Sequence, residues 1–138
     1  MTRVLGIDPG TVRCGVAISD SAASMAFPRP ALLNDETLIE VLRDLIDDER
    51  VATLVVGRPV ALPGNETAST QQADALYHQL EEAFADLVLT QWDERLTTVQ
   101  AERSLSRAGL KAKEHREHVD SAAAVIMLQN YLDGRHVL

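Results

Sequence analysis

Apolar positions recur with two different periods along this chain, and each change of period marks an element. Val4–Ile7 and Val12–Ile18 are β-prone runs on either side of Asp8-Pro9-Gly10-Thr11, which predicts a strand, a tight turn and a returning strand. Pro9 pre-sets φ and Gly10 tolerates a positive φ, so the backbone can reverse directly after the Asp8 carboxylate. Gly15 removes a side chain from the returning strand, which lets another backbone, a phosphate or a metal ion come close. Ala26–Leu33 carries Pro28 and Pro30 and predicts a third, edge-like strand, because proline cannot donate to a ladder. The period then becomes helical. Leu38, Ile39, Val41, Leu42, Leu45 and Ile46 fall on one face of a helix capped by Asn34 or Asp35.

Thr53–Val56, ending in Gly57, has the pattern of a strand buried on both faces, and Arg58–Glu66 is loop-like. A second helix is predicted from about Thr67 to Ala85, and a fifth strand over Leu87–Trp92, running into Asp93-Glu94-Arg95. Thr97 or Thr98, with Gln100 as a capping-box partner, opens a third helix that Gly109 stops. Leu110–His118 is polar and lacks apolar periodicity, which predicts a segment that is mobile alone and tightens when substrate lies across it. A last helix over Asp120–Leu132 is apolar nearly all round from Ala122 to Leu128 and must pack in the interior.

Three strands joined by short turns should be antiparallel, and the two reached through helix crossovers should lie parallel to the first. The predicted architecture is α/β: a five-stranded mixed sheet with helices on both faces. At 138 residues, 1–138 form one predicted domain, with apolar and charged fractions of 46% and 25% that suit a globular protein. The single Cys14 excludes an internal disulfide framework and reads as a buried structural thiol. No stretch resembles a signal peptide, and the longest apolar run is too short to cross a membrane, so a cytoplasmic location is expected. The net charge of −8 argues against a general, non-specific nucleic-acid binder. Its distribution is uneven: acids crowd Asp35–Glu49, while Arg103, Arg107, Lys111, Lys113 and Arg116 form a basic cluster.

Sites in open α/β sheets form at the carboxyl ends of parallel strands. Three such ends are Ile7-Asp8, Val56-Gly57 and Trp92-Asp93-Glu94, and the first and last deliver carboxylates to one edge with only a glycine between them. Asp120 opens the buried helix, where an acid also suits the helix N-terminus. Converging carboxylates repel unless a cation sits between them, and hard oxygen donors suit Mg²⁺ or Mn²⁺. Two-metal phosphodiester hydrolysis is the chemistry that most uses such a cluster. Strand alternation leaves the choice between Asp93 and Glu94 open.

The stretches GIDPGTVRCGVAISD, VVGRPVALPGNE, DERLTT and VDSAAAVIMLQNYL together resemble the YqgF/RuvX family, from Val4 to Leu132. That family is described as Holliday-junction-resolvase-like and as a nuclease of the precursor of 16S rRNA. The resemblance implies a ribonuclease H-like fold and a metal-dependent nuclease. Its metal-binding, catalytic acids would be Asp8, Glu94 and Asp120, holding two Mg²⁺ or Mn²⁺ ions. It implies processing of the 5′ end of pre-16S rRNA in ribosome biogenesis, with a Holliday-junction-like DNA nuclease of recombination and repair as the alternative. The expected partner is accordingly nucleic acid, an rRNA precursor or branched DNA, acted on by a monomer or homodimer.

Arg13 matches the family's arginine after the turn and can steady a carboxylate or the nucleic-acid backbone. Arg58 stands where the family usually has leucine; it can hold a phosphate or pair with an acid, and the phosphate is the favoured reading. Arg95, next to the acid, suits an ion pair as well as a substrate contact. With Arg103, Arg107, Lys111 and Lys113 these arginines make up the predicted nucleic-acid grip. Leu76, where the family pattern has phenylalanine, is a volume-tolerant core exchange. Two other classes compete. An actin-like or sugar-kinase-like ATP-binding protein shares an Asp-x-Gly-Thr turn but needs two such domains. A non-catalytic ribosome-assembly or RNA-binding factor would keep the acids without cleaving.

Overall fold

The computed structural model describes residues 2–59, 66–94 and 121–135. Through them run β1 (Arg3–Asp8), β2 (Arg13–Ser19), β3 (Ala26–Leu33), α1 (Leu38–Glu49), β4 (Val51–Arg58), α2 (Ala68–Ala83), β5 (Val88–Asp93) and α3 (Ala122–Arg135). The helix predicted from Thr97 or Thr98 and the segment Leu110–His118 lie outside the described residues. The strands form one mixed sheet in the order β3-β2-β1-β4-β5. The pairs β1–β2 and β2–β3 are antiparallel, and β1–β4 and β4–β5 are parallel, as the turn and crossover lengths predict. β4 reaches further than the apolar run Thr53–Val56 because its ladder to β5 continues to the pair Arg58↔Asp93.

Strand alternation divides the core between two faces. Leu5, Ile7, Cys14, Val16, Ile18, Leu54 and Val56 meet Leu38, Leu42 and Ile46 of α1 and Leu76 and Leu80 of α2. On the opposite face Val4, Ala17 and Val55 meet Ala124, Val125, Met127, Leu128 and Leu132 of α3. Each fully buried aliphatic side chain contributes about 1.5–3 kcal/mol, so both layers stabilise the sheet substantially. Small residues let α3 sit close: a Cβ on Gly6 would lie 3.1 Å from the Leu128 Cβ. Gln129 of α3 then accepts a hydrogen bond from the Ala26 N–H and donates one to the Ser24 carbonyl, fastening the start of β3 to the helix.

The helix caps differ from the predicted ones. Asn34 spends its side chain on the Gly10 carbonyl, at 2.7 Å, and so braces the β1–β2 turn. The Asp35 carboxylate accepts from both the N–H and the hydroxyl of Thr37, and the helix begins after Thr37. α2 opens at Thr67, whose capping box is completed by Thr70 where a glutamate or glutamine is usual. Gly10 is required for space, since a Cβ there would collide with the Arg13 carbonyl oxygen. Its φ is outside the left-handed region, so close approach and not positive φ is the reason for glycine.

Candidate active site

The parallel ladder sets three strand ends side by side. Ile7 pairs with Val56, and Gly57 pairs with Trp92, so Asp8, Gly57 and Glu94 meet at one sheet edge. Gly57 faces α3. A Cβ on it would lie 2.9 Å from both Cδ and Oε1 of Glu94 and 3.1 Å from the Met127 Sδ. The missing side chain is therefore the space through which Glu94 reaches Asp8. The two carboxyl groups are hydrogen-bonded to each other.

Burial pushes the Glu94 carboxyl up to about 9, and the hydrogen bond to Asp8, the Asp8 charge and the Asp93 charge push it the same way. The push is toward the protonated form, which lets one carboxyl hydrogen-bond the other. Asp93 pairs in register with Arg58, and the neighbouring Gln91 reaches Asp74 on α2, which puts this alternate set of β5 residues on the other face. The choice that alternation left open falls to Glu94 as the acid beside Asp8.

Behind Asp8 lies a repaired ladder. Asp8 pairs with Gly15, and beyond Gly15 the β2–β3 register shifts: three residue steps of β3, from Arg29 to Leu32, are spanned by two of β2, from Val16 to Cys14. Pro30 occupies this bulge, where its missing N–H costs nothing. Ser121, fully buried, inserts its hydroxyl into the gap. It accepts from the Val16 N–H at 3.0 Å and donates to the Arg29 carbonyl at 2.6 Å. The start of α3 is thereby pinned to the strand that pairs with Asp8. Ser121 is a bracing residue beside the acid pair that the sequence alone does not point to; its only signal is a polar residue at the edge of an otherwise apolar helix.

Cys14 is a buried free thiol, raised by burial first, then lowered by the Gly10 backbone hydrogen bond and raised by the Asp8 charge. Arg13 is exposed just after the turn. Arg58 lies at the same strand end as Glu94, but alternation turns it to the α2 face. Its Nε and Nη2 grip Asp74 at 2.9 and 3.1 Å, and Nη2 also meets Glu66 at 2.7 Å. The acid-pairing alternative for Arg58 is the arrangement present, and these acids raise its already high pKa further. Asp120, Arg95, Arg103, Arg107, Lys111 and Lys113 lie outside the described residues.

Among the described residues no group of three or more His, Cys, Asp or Glu side chains is placed to hold a metal ion. The Asp8–Glu94 pair nevertheless fits a hard divalent cation: both donors are carboxyl oxygens, and a proton already stands where their charges would repel.

The family model described as RuvX, Holliday junction resolvase, matches residues 2–134. The chain belongs to the RuvX family. Among its RuvX relatives, a Corynebacterium jeikeium (strain K411) protein named as a candidate pre-16S rRNA nuclease is 38% identical over 135 residues, covering 96% of this chain and 87% of that one. One of the same name from Mycolicibacterium paratuberculosis (strain ATCC BAA-968 / K-10) is 42% identical over 135 residues, with 96% and 81% covered. Two solved structures share the fold. T. thermophilus RuvC in complex with a Holliday junction substrate superposes with a TM-score of 0.60 at 16% identity, covering 99% of this chain and 97% of that one. Fowlpox virus resolvase, in complex with substrate Holliday junction DNA, gives 0.64 at 8% identity, covering 97% and 99%. The fold is thus ribonuclease H-like, as the sequence resemblance implied. Among the described residues no helix is long and apolar enough to cross a membrane.

Proposed function

We propose that this member of the RuvX family is a metal-dependent nuclease that hydrolyses phosphodiester bonds of precursor 16S rRNA, at its 5′ end, in ribosome biogenesis. The observation that carries the reading is the Asp8–Glu94 carboxyl pair, half-buried together across Gly57 at the ends of parallel strands. Two carboxyls forced against each other are unfavourable in a folded protein unless a ligand uses them. Membership of a family whose relatives are named nucleases supplies the reaction class.

Asp8 and Glu94, with Asp120, would hold Mg²⁺ or Mn²⁺, as two ions. Bound there, such ions activate a water and stabilise the leaving oxygen of the cleaved phosphodiester. The chain's own contributions are separable. Glu94 would hold the ion through a carboxyl oxygen once its proton is released, beside the Asp8 carboxyl. Gly57 keeps the space between them clear, while Met127 closes the apolar floor beneath. Ser121 fixes the first turn of α3, immediately after Asp120. Arg13, Arg95, Arg103, Arg107, Lys111 and Lys113 supply phosphate contacts around an otherwise acidic molecule.

A second reading, cleavage of branched DNA, has the family model's description in its favour. A cleavage assay with Mg²⁺ and with Mn²⁺ on a precursor 16S rRNA fragment and on a four-way DNA junction tests both. Wild type should trim the RNA at its 5′ side and Asp8→Asn should not. Preferential cutting of the junction would favour the second reading. Stable RNA binding with no cleavage under either ion would leave a non-catalytic assembly factor.

A further inference from the structure

Arg58 holds two acids, and they are not equivalent. Asp74 grips the guanidinium through two nitrogens, and its Oδ1 also accepts from the Gln91 side chain at 2.9 Å. That carboxylate is anchored on α2, tied to β5, and by itself neutralises Arg58. Glu66 makes one hydrogen bond, at 2.7 Å to Nη2, and its side chain is 62% exposed. Arg58 and the two acids hydrogen-bonded to it therefore carry one positive and two negative charges, one acid more than the guanidinium needs for balance. Exposed ion pairs of this kind add little to stability, so fold maintenance is a poor explanation for the second acid.

The location matters as much as the charge. Arg58 directly follows Gly57, the residue over which Glu94 reaches Asp8, so one residue step along β4 separates the acid pair from the arginine. The guanidinium lies on the α2 face of that strand end and the acid pair on the α3 face, so a nucleic-acid backbone that wraps over the sheet edge from one face to the other reaches both. The Glu66 side of the guanidinium presents a carboxylate oxygen where a phosphate oxygen would make the same charge-assisted hydrogen bond.

We infer that Glu66 is a stand-in for a substrate phosphate: the nucleic-acid backbone displaces it from Arg58, while Asp74 and Gln91 keep the guanidinium aimed. This rests on the nuclease reading above and assigns part of its substrate grip. Glu66 then competes with substrate, disfavouring weakly charged or short ligands that cannot replace it. The exchange breaks and forms hydrogen bonds and ion pairs only.

Binding, measured without cleavage, tests the inference. A fluorescent precursor 16S rRNA fragment is titrated, free of divalent ions, with Asp8→Asn protein carrying Glu66→Gln, Arg58→Ala or both, across a salt series. Glu66→Gln should tighten binding by about three- to tenfold at low salt, as one phosphate no longer competes with a carboxylate. Arg58→Ala should weaken binding and flatten the salt slope by about 0.7–0.9. In the Arg58→Ala background, Glu66→Gln should have no further effect. A Glu66→Gln gain that persists without Arg58 would reduce Glu66 to general repulsion and overturn the exchange. So would no gain at all. Melting curves of each variant guard against loss of α2, and Arg58→Lys, which keeps the charge without the fork, should fall between Arg58→Ala and the parent. Wild-type cleavage activity, assayed separately, reports on the nuclease reading independently of these outcomes.

Discussion

The Glu94 carboxyl occupies the place where a Gly57 side chain would begin: a Cβ there would stand 2.9 Å from its Cδ and Oε1. No other residue type fits without moving the acid or the Met127 thioether behind it. Gly57→Ala should leave the fold intact at a cost of about 1–3 kcal/mol, the usual penalty of overpacking. Cleavage should fall by about a hundredfold, since a displacement near 1 Å is enough to misplace a reacting group. Parallel melting and cleavage measurements check this. A variant that keeps full activity would show that Glu94 works from another position.

Glu94 also makes the metal-free protein pH-sensitive. Its folded pKa, about 9, lies above the ordinary value of 4.5, so the folded state holds a proton that the unfolded chain releases. The stability this confers is full below the unfolded pKa and is lost as pH rises through the folded one. Melting temperature should therefore decline between about pH 5 and pH 9, and Glu94→Gln should flatten the decline and stabilise the protein toward the alkaline end.

Cation binding has the opposite dependence. Mg²⁺ or Mn²⁺ must displace the Glu94 proton, so affinity should rise with pH and binding should release close to one proton. Calorimetry in two buffers of different ionisation enthalpy measures that release. Glu94→Gln should bind more weakly and release none.

Ser121 joins two groups that the Pro30 bulge leaves without ladder partners. Ser121→Ala strands the Val16 N–H and the Arg29 carbonyl in a buried setting, which should cost about 1–3 kcal/mol. It should also loosen the start of α3, so divalent-ion affinity should fall along with stability. Ser121→Thr keeps the hydroxyl and should restore part of both. Ion affinity untouched by Ser121→Ala would separate the bridge from the site.

For the basic cluster the expected readout is a salt slope. Replacing Arg103, Arg107, Lys111 and Lys113 by glutamine should lower the slope of RNA affinity against salt by about 0.7 for each single-strand phosphate left without its cation. Melting temperature should change little. An unchanged slope in the fourfold variant would place the grip elsewhere.

The strands, their directions and the two crossover helices were legible in the sequence because each has a period, and a period follows from burial. Leu38, Leu42 and Ile46 repeat because α1 has one buried face. Asp8 and Glu94 were legible as strand-end acids, and the family resemblance chose Glu94 over Asp93. What was not legible depends on contacts between distant residues. Asn34 could be read as a cap, but its partner is Gly10, in a turn 24 residues earlier. Arg58 could be read as a phosphate ligand or an ion-pair partner, and only the pleat of β4 shows that it faces Asp74. Ser121 gave no pattern at all, since a single hydroxyl bridging residues 105 and 92 positions away has no local signature.

Helix α3 covers one sheet face, and its place in the chain also sets a timetable. Domains generally fold as units during synthesis, so a face is closed only once the segment that covers it has been made. Val4, Ala17 and Val55 are covered by residues of α3, so their apolar face lacks that cover until residues 122–132 have been made. Asp8 is made well before Glu94, and Ser121 locks the Pro30 bulge later still. The brace behind the carboxyl pair is therefore completed only after Ser121 has been made. Until then the nascent chain carries no braced acid pair toward the RNA of the ribosome that is making it.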